Sequence, residues 1–290
     1  MKQPYPTYGI KNLNSDASAN KLLVVDSFKK YYASNPHVKQ LHNHSFFHIL
    51  LFTEGEGYHV IDFEKFDIEK GMIYFMKPGQ VHQWHFTKEA DGFILNFSPL
   101  LFDSLQISSE IILNFPIFRL DVLKQVHVLN ETDLEKVASL INVIQIEKQN
   151  AGSLSQITIA NKIIELFIDI HKIFELEISS KINTSSALQQ FYDLIDIHYK
   201  ELKLPKEYAK VLNITPSHLN QLCKQANGLS AGDIIRNRIL LEAKRLLVNL
   251  ELTVSEVSDN LNFSDYSNFT KFFKKYTSIT PEAFRKQHYL

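Results

Sequence analysis

Histidines are the residues of this 290-residue chain whose type and spacing could do chemistry. His42, His44 and His48 stand at even separations in HNHSFFH, and His82 follows the turn Lys77-Pro78-Gly79-Gln80. On one continuous strand even steps share a face, so three imidazoles would converge and a neighbouring strand could add the fourth. Neutral imidazole nitrogen suits zinc, iron, copper or nickel. It equally suits a hydrogen-bonding wall around a small molecule. The second reading is adopted: His42, His44, His48, His82 and Trp84 form a small-ligand pocket with no resident metal or other cofactor, the four histidines being the candidate ligands if a metal binds. His37, His59 and His85 rank below them, and Phe46, Phe47, Tyr58, Phe63, Tyr74 and Phe75 suit a core or pocket wall.

The elements that must position these histidines are read from the alternating or short apolar runs LLVVDSF, HILLFTEG, GYHVIDF, MIYFMKPG and GFILNFS between Lys21 and Pro99. Turn signals at 54–57 (Glu-Gly-Glu-Gly), 69–71 and 77–79 separate them, which predicts an antiparallel sandwich or barrel and no long helix. Residues 1–20 read as an N-terminal arm, and 21–125 as the barrel. Helical spacing then recurs over 131–149, with Thr132 as the cap, and over 154–174. Asn150-Ala151-Gly152-Ser153 joins the two into a hairpin within 126–178. Its apolar stripe is wide. Either part of it buries against a second copy, giving a homodimer, or all of it packs on its own sheet. SSKINTSS, 179–186, reads as a linker.

The last third contains one unit twice. LPKEYAKVLNITPSHLNQLCKQANGLS and TVSEVSDNLNFSDYSNFTKFFKKYTSIT are each a short helix, a turn and a second helix. Leu212-Asn213-Ile214 matches Leu261-Asn262-Phe263; after a one-residue insertion, Leu219, Leu222 and Lys224 match Phe269, Phe272 and Lys274. An amphipathic helix from Ala187 to Leu202 precedes the first copy. Thr215 caps a second helix from Ser217 to Gln225, ended by Asn227-Gly228. In the second copy Thr253-x-x-Glu256 is a capping box, Asn262 takes the sharp turn, Ser264 caps a helix from Asp265 to Tyr276, and Thr280-Pro281 opens a short helix through Phe284. Leu219, Leu222, Phe269, Phe272 and Cys223 are assigned to the core. Between the copies, Ser230 to Leu250 lacks internal helix breakers. About 18 helical residues span roughly 27 Å, enough to hold two helices near successive major grooves about 34 Å apart.

Net charge is −1, but it is unevenly placed. Before Ser185, 17 Lys and Arg face 21 Asp and Glu; from Ser185 onward 14 face 11, so the surplus of positive charge lies with the repeat. The start MKQPYPTYGIKNLNSD has no apolar run behind a basic head, and no segment reaches the roughly 18 apolar residues that spanning needs. A cytoplasmic protein with no membrane partner is expected. The single cysteine precludes an internal disulfide.

The HNHSFFH and KPGQVH segments resemble the two motifs of the cupin superfamily, His-x-His followed by Glu and Pro-x-Gly-x-x-His; here His48 stands in place of the Glu, and Pro and Gly are adjacent. The run from Leu204 to Lys286 resembles the DNA-binding domain of AraC/XylS-type transcription regulators. It matches their second unit at Leu261, Phe263, Asp265, Ser267, Phe269, Phe272 or Phe273, Lys274, Lys275, Thr280 and Pro281, and departs at Asn262, Asn268, Lys271 and Ser278. The resemblance implies an α+β multidomain chain: an N-terminal cupin-like β-barrel with helical hairpin, then an all-α double helix-turn-helix over 187–290. It implies base contacts from Ser217, His218, Asn220 and Gln221 in the first unit and from Tyr266, Ser267, Thr270 and Lys271 in the second. Lys224, Lys274 and Lys275 would meet phosphates. The expected function is a sequence-specific DNA-binding transcription regulator responsive to a small-molecule effector. Its partners would be double-stranded DNA, that effector, a second copy and RNA polymerase. The alternative is a metal-dependent cupin enzyme with an appended DNA-binding domain. No Ser-His-Asp pattern, phosphate loop or second acid/base constellation supports catalysis, so no enzyme is expected.

Overall fold

The computed structural model describes residues 6–13, 22–113, 115–119, 125–150, 152, 154–179, 186–249 and 251–288. Most of the arm expected over 1–20 and of the linker expected over 179–186 lies outside them. Contacts divide the chain into Pro6–Leu176 and Glu177–Leu290.

The N-terminal unit begins with β1 (Thr7–Tyr8), β2 (Leu23–Ser27), α1 (Phe28–Ser34) and β3 (Asn43–His44). It continues with β4 (Phe47–Ile61), β5 (Glu64–Ile68), β6 (Met72–Met76) and β7 (His82–Phe97). Short helices α2 (Leu100–Asp103), α3 (Glu110–Leu113) and α4 (Pro116–Arg119) lead to β8 (Val126–Val128). β1 pairs with β3 in parallel; the main sheet runs β2-β7-β4-β6-β8, with β5 also on β4. Two strands of 15 and 16 residues, β4 and β7, carry it.

That length corrects the expectation of short strands with a turn at Glu-Gly-Glu-Gly. These residues lie inside β4, where the register against β7 shifts three times between Phe52 and Gly57. Such bulges add residues to one strand and bend it. Gly57 has φ +138°, and a Cβ there would sit 2.1 Å from the His85 carbonyl oxygen; at Gly92, φ +156°, it would sit 1.9 Å from that of Leu51. The glycines allow backbones to close on each other, not the chain to reverse. The reversal comes at Asp62 and Phe63, φ +49° and +75°, between paired Ile61 and Glu64. Two positive φ values give the twist a two-residue hairpin requires. The sheet region, expected to hold no long helix, contains a short one, the seven-residue α1, which begins at the end of the LLVVDSF run. Ser27 caps it, accepting from the Lys30 N–H at 3.3 Å. Phe28, Tyr31, Phe46, Phe52, Tyr74 and Trp84 are buried in one cluster.

The hairpin is α5 (Glu131–Asn150) and α6 (Ser155–Ser179). Its cap is Asn130, whose side-chain oxygen accepts from the Asp133 N–H at 3.0 Å, rather than Thr132. Leu134, Val137, Ile141 and Ile144 on α5 and Ile159, Ile163, Phe167 and Phe174 on α6 are buried. Val143, Ile146, Ile157 and Ile168 are exposed.

The C-terminal unit contains α7 (Ser186–His198), α8 (Pro205–Val211), α9 (Pro216–Asn227), α10 (Ala231–Leu247), α11 (Val254–Asn260), α12 (Tyr266–Thr277) and α13 (Pro281–Gln287). The duplication is visible in backbone and burial alike. Asn213 and Asn262 take φ +55° and +56° at the two turns, and Gly228 and Ser278 take φ +74° and +66° at the ends of α9 and α12. Thr215 and Asp265 cap α9 and α12, accepting from the backbone N–H groups of His218 and Asn268. Asp265 therefore holds the position expected of Ser264. Ser230 and Thr280 cap α10 and α13, so the start of α10 is the first copy's counterpart of α13. Leu219 and Cys223 are buried in α9, as are Phe269 and Phe273 in α12. Leu222 and Phe272 are half-buried. The inner stripe thus passes through Cys223 and Phe273 rather than through the residues before them.

Candidate functional site

On α9 the polar residues follow from the helical period. With Leu219 and Cys223 inward, Ser217, His218, Gln221, Lys224 and Gln225 are exposed. Ser217, Asn220, Gln221, Lys224 and Gln225 line an open concavity of ≈ 430 Å³. Gln225 was not among the expected contacts, although it lies one turn beyond Gln221. Asn220 is half-buried, and its side-chain oxygen accepts from the Ala231 N–H at 3.0 Å. Its carbonyl thus helps hold the start of α10, leaving the amide NH₂ as its remaining polar group.

On α12, Tyr266, Ser267, Lys271, Lys274 and Lys275 are exposed, and Thr270 is half-buried like its counterpart Asn220. The Tyr266 hydroxyl donates to Glu282 of α13. Asn268, the counterpart of His218, donates its amide to Ser264 at 2.7 Å and Asp265 at 2.8 Å. The two outer faces thus share geometry and differ in chemistry: amides and a histidine on α9, a phenol and lysines on α12. Lys203 joins the copies, donating to the Asn262 carbonyl and lying 4.0 Å from the Phe263 ring centroid. Arg238 joins α10 to α7, 2.9 Å from Asp196 and 4.0 Å from the centroid of Tyr199.

In the N-terminal unit the four expected histidines converge, but from separate elements. His42 forms an isolated bridge with His82, His44 lies on β3, and His48 lies on β4. Each is buried. Ring centroids lie 4.2 Å apart for His42 and His82, 4.9 Å for His44 and His82, and 4.9 Å for His44 and His48. Trp84 packs edge-on at 4.6 Å from His82 and donates its indole N–H to the Tyr74 hydroxyl at 3.0 Å. It closes the cluster from the core side.

His59 is the member that sequence reasoning placed too low. Its Nε2 lies 2.9 Å from His82 Nδ1, and its ring stacks on Trp84 at 5.3 Å. An odd step of 11 separates it from His48, so strict alternation sends it to the opposite face. The register shifts between Phe52 and Gly57 bring it back. Burial disfavours the imidazolium form throughout. It lowers His42 to about 4 and His48 to about 3, and holds His44, His59 and His82 well below the ordinary value, with the neighbouring imidazoles adding to the effect. At neutral pH this is a cluster of uncharged rings, each able to offer a nitrogen lone pair.

Comparison with known proteins assigns both parts. Residues 30–182 match the AraC-like ligand binding domain, and residues 208–287 match a helix-turn-helix domain. The Msm operon regulatory protein of Streptococcus mutans is 25% identical over 152 residues, covering 52% of this chain and 55% of that protein. The HTH-type transcriptional activator RhaS of Enterobacter sp. is 21% identical over 249 residues, covering 84% and 87%. The structure of ToxT from Vibrio cholerae is 11% identical with a TM-score of 0.45, covering 91% of this chain and 98% of ToxT. No described helix is long and apolar enough to cross a membrane. With a ligand-binding domain matched over more than half its length and a helix-turn-helix match behind it, the chain belongs to the AraC-type family of transcription regulators.

Proposed function

We propose that this regulator reads DNA with the outer faces of α9 and α12 in successive major grooves, and that α10 holds the two at the required separation. The observation that carries the reading is the exposed polar stripe of α9, where Ser217, Gln221, Lys224 and Gln225 line one concavity. In this reading Ser217, His218, Asn220 and Gln221 read one half-sequence and Tyr266, Ser267, Thr270 and Lys271 the other. Lys224, Lys274 and Lys275 neutralise phosphates. Asn220 works with its NH₂ group and Tyr266 with its hydroxyl oxygen as acceptor, its one O–H being given to Glu282, so both also serve the fold.

The same proposal assigns dimerisation to the exposed apolar residues Val143, Ile146, Ile157 and Ile168 of the hairpin, with a second copy as the occupant. The regulator acts in the cytoplasm by binding, without catalysis, and contacts RNA polymerase when bound to its operator. The N-terminal unit receives the effector near the histidine cluster.

Binding of full-length protein to a cognate operator and to random DNA tests the assignment. Gln221→Ala should cost about 1–3 kcal/mol on the cognate site and relax one base position, whereas Lys274→Ala should weaken both DNAs alike. Equal losses on both DNAs for both variants would remove the division between base and phosphate contacts.

A further inference from the structure

We propose that His42, His44 and His82 bind one first-row transition-metal ion through their Nε2 atoms, and that His59 positions His82 for it. This goes beyond the DNA reading and does not depend on it, since all four residues belong to the N-terminal unit.

The hydrogen bonds fix which nitrogens are available. His42 Nδ1 lies 2.8 Å from the Gln40 carbonyl oxygen, and His44 Nδ1 lies 3.2 Å from that of Phe46. A carbonyl can only accept, so both rings carry their proton on Nδ1 and turn an unprotonated Nε2 inward. Both Nε2 atoms are buried with no hydrogen-bond partner among the described residues, as is His82 Nε2. One nitrogen from each of these three rings lies within 4.8 Å of the others. His82 Nδ1 lies 2.9 Å from His59 Nε2. When His82 donates there, its own Nε2 becomes the third lone pair. Histidine ligands in metal sites commonly donate their second ring nitrogen to a carboxylate, backbone carbonyl or water, which fixes both tautomer and ring orientation; the Gln40 and Phe46 carbonyls do this for His42 and His44, and the His59 lone pair would do it for His82.

A single water does not satisfy this arrangement, because it has two protons for three converging acceptors. A cation satisfies all three. Zinc–nitrogen bonds of about 2.0–2.1 Å place tetrahedral nitrogens roughly 3.4 Å apart, so the rings would draw together around the ion. The donor set is all imidazole, which selects zinc, copper, iron or nickel over calcium or magnesium. Three nitrogens leave a position open for an exogenous ligand. His48 stands beside the set, with its Nδ1 held at 2.7 Å by Asn96 and its Nε2 also unpartnered among the described residues. Asp62 is the one carboxylate buried among the described residues. It accepts from the Val81 N–H at 3.2 Å and from the Gln80 side-chain amide at 2.8 Å, and so holds the segment that leads into His82.

The test uses full-length protein stripped with a chelator and titrated with Co(II), followed by visible absorption and by displacement with Zn(II). One Co(II) per chain, with the intense absorption of a low-coordinate nitrogen site that Zn(II) abolishes, is expected. His44→Ala should lose this site, and His59→Phe should weaken it roughly 10–100-fold, with His59→Gln recovering part because its amide oxygen accepts from His82. If the wild type develops no such absorption and retains no Zn(II) on equilibrium dialysis, the proposal is wrong. It is equally wrong if His44→Ala binds like the wild type. Should His44→Ala fail to fold by circular dichroism, the wild-type titration alone decides the site, and equal affinities in the two His59 variants and the wild type overturn the role of His59.

Discussion

Arg285 donates through Nε to the Leu247 carbonyl at 2.8 Å and through Nη2 to the Leu252 carbonyl at 2.7 Å, so a side chain of α13 closes the C-terminal end of α10. The Leu247 carbonyl lies where α10 has run out of its own donors, and a cation there also meets the negative end of the helix dipole, while the Leu252 carbonyl belongs to the connection that leads into α11. Arg285→Ala is expected to destabilise the C-terminal unit by about 1.5–3 kcal/mol, the range for hydrogen bonds to a charged group. Arg285→Lys should recover only part, because an ammonium cannot reproduce the fork. Urea unfolding followed by circular dichroism measures both.

Asn213 and Asn262 provide a matched pair. Both take left-handed backbone angles at the turn of their unit. Asn262→Gly should stay close to wild-type stability, whereas Asn262→Val should cost about 1–2 kcal/mol or more, the penalty for a branched side chain in that region. Equal melting temperatures for the two variants would contradict the role given to the turn.

Gly92→Ala is expected to be severe. Its Cβ would stand 1.9 Å from a backbone oxygen of the neighbouring strand, and φ is positive as well. The strands must separate or the ladder break, so a loss of at least about 3 kcal/mol, or failure to accumulate as folded protein, is the expected outcome. Gly79→Ala is a useful contrast: nothing stands within 4 Å of its added Cβ, leaving mainly the backbone penalty.

Cys223 reports on the first helix-turn-helix unit. It is fully buried, and burial pushes its thiol up to about 11. The thiolate is the reactive form. Between pH 7 and 9 the native protein should therefore resist alkylation, while urea-unfolded protein, with the ordinary thiol value, should label faster as pH rises. Rapid labelling of folded protein at pH 8 would show that α9 opens on its own.

The fold was legible in the sequence to very different depths. The helix-turn-helix units could be read closely because two copies check each other: a cap, a turn residue and an inward stripe recur at matched positions. Ser264 gave way to Asp265 as the cap, a shift of one residue where both side chains can accept. The N-terminal unit offered no second copy. Its histidines could be found because their types are rare, but His59 was lost, since period-two counting fails across a bulge and nothing in Glu-Gly-Glu-Gly distinguishes a bulge from a turn. The Asp62-Phe63 reversal escaped for a related reason: Phe gives no local signal for positive φ. On α9 the exposed face was readable from periodicity, whereas the bond from Asn220 to Ala231 depends on where α10 begins and could not be.

The duplicated caps give α10 a further consequence. Its first turn completes one helix-turn-helix unit and its last turn, held by Arg285, delivers the chain to the next, so the helix sets an angle as well as a length. One residue inserted in its middle would advance everything beyond it by about 1.5 Å and rotate it by about 100°. The displacement is trivial on the scale of a DNA groove; the rotation is not. In the DNA reading proposed above, α10 is a phase keeper, and its residue count matters more to the reading of an operator than the identity of most of its outward side chains.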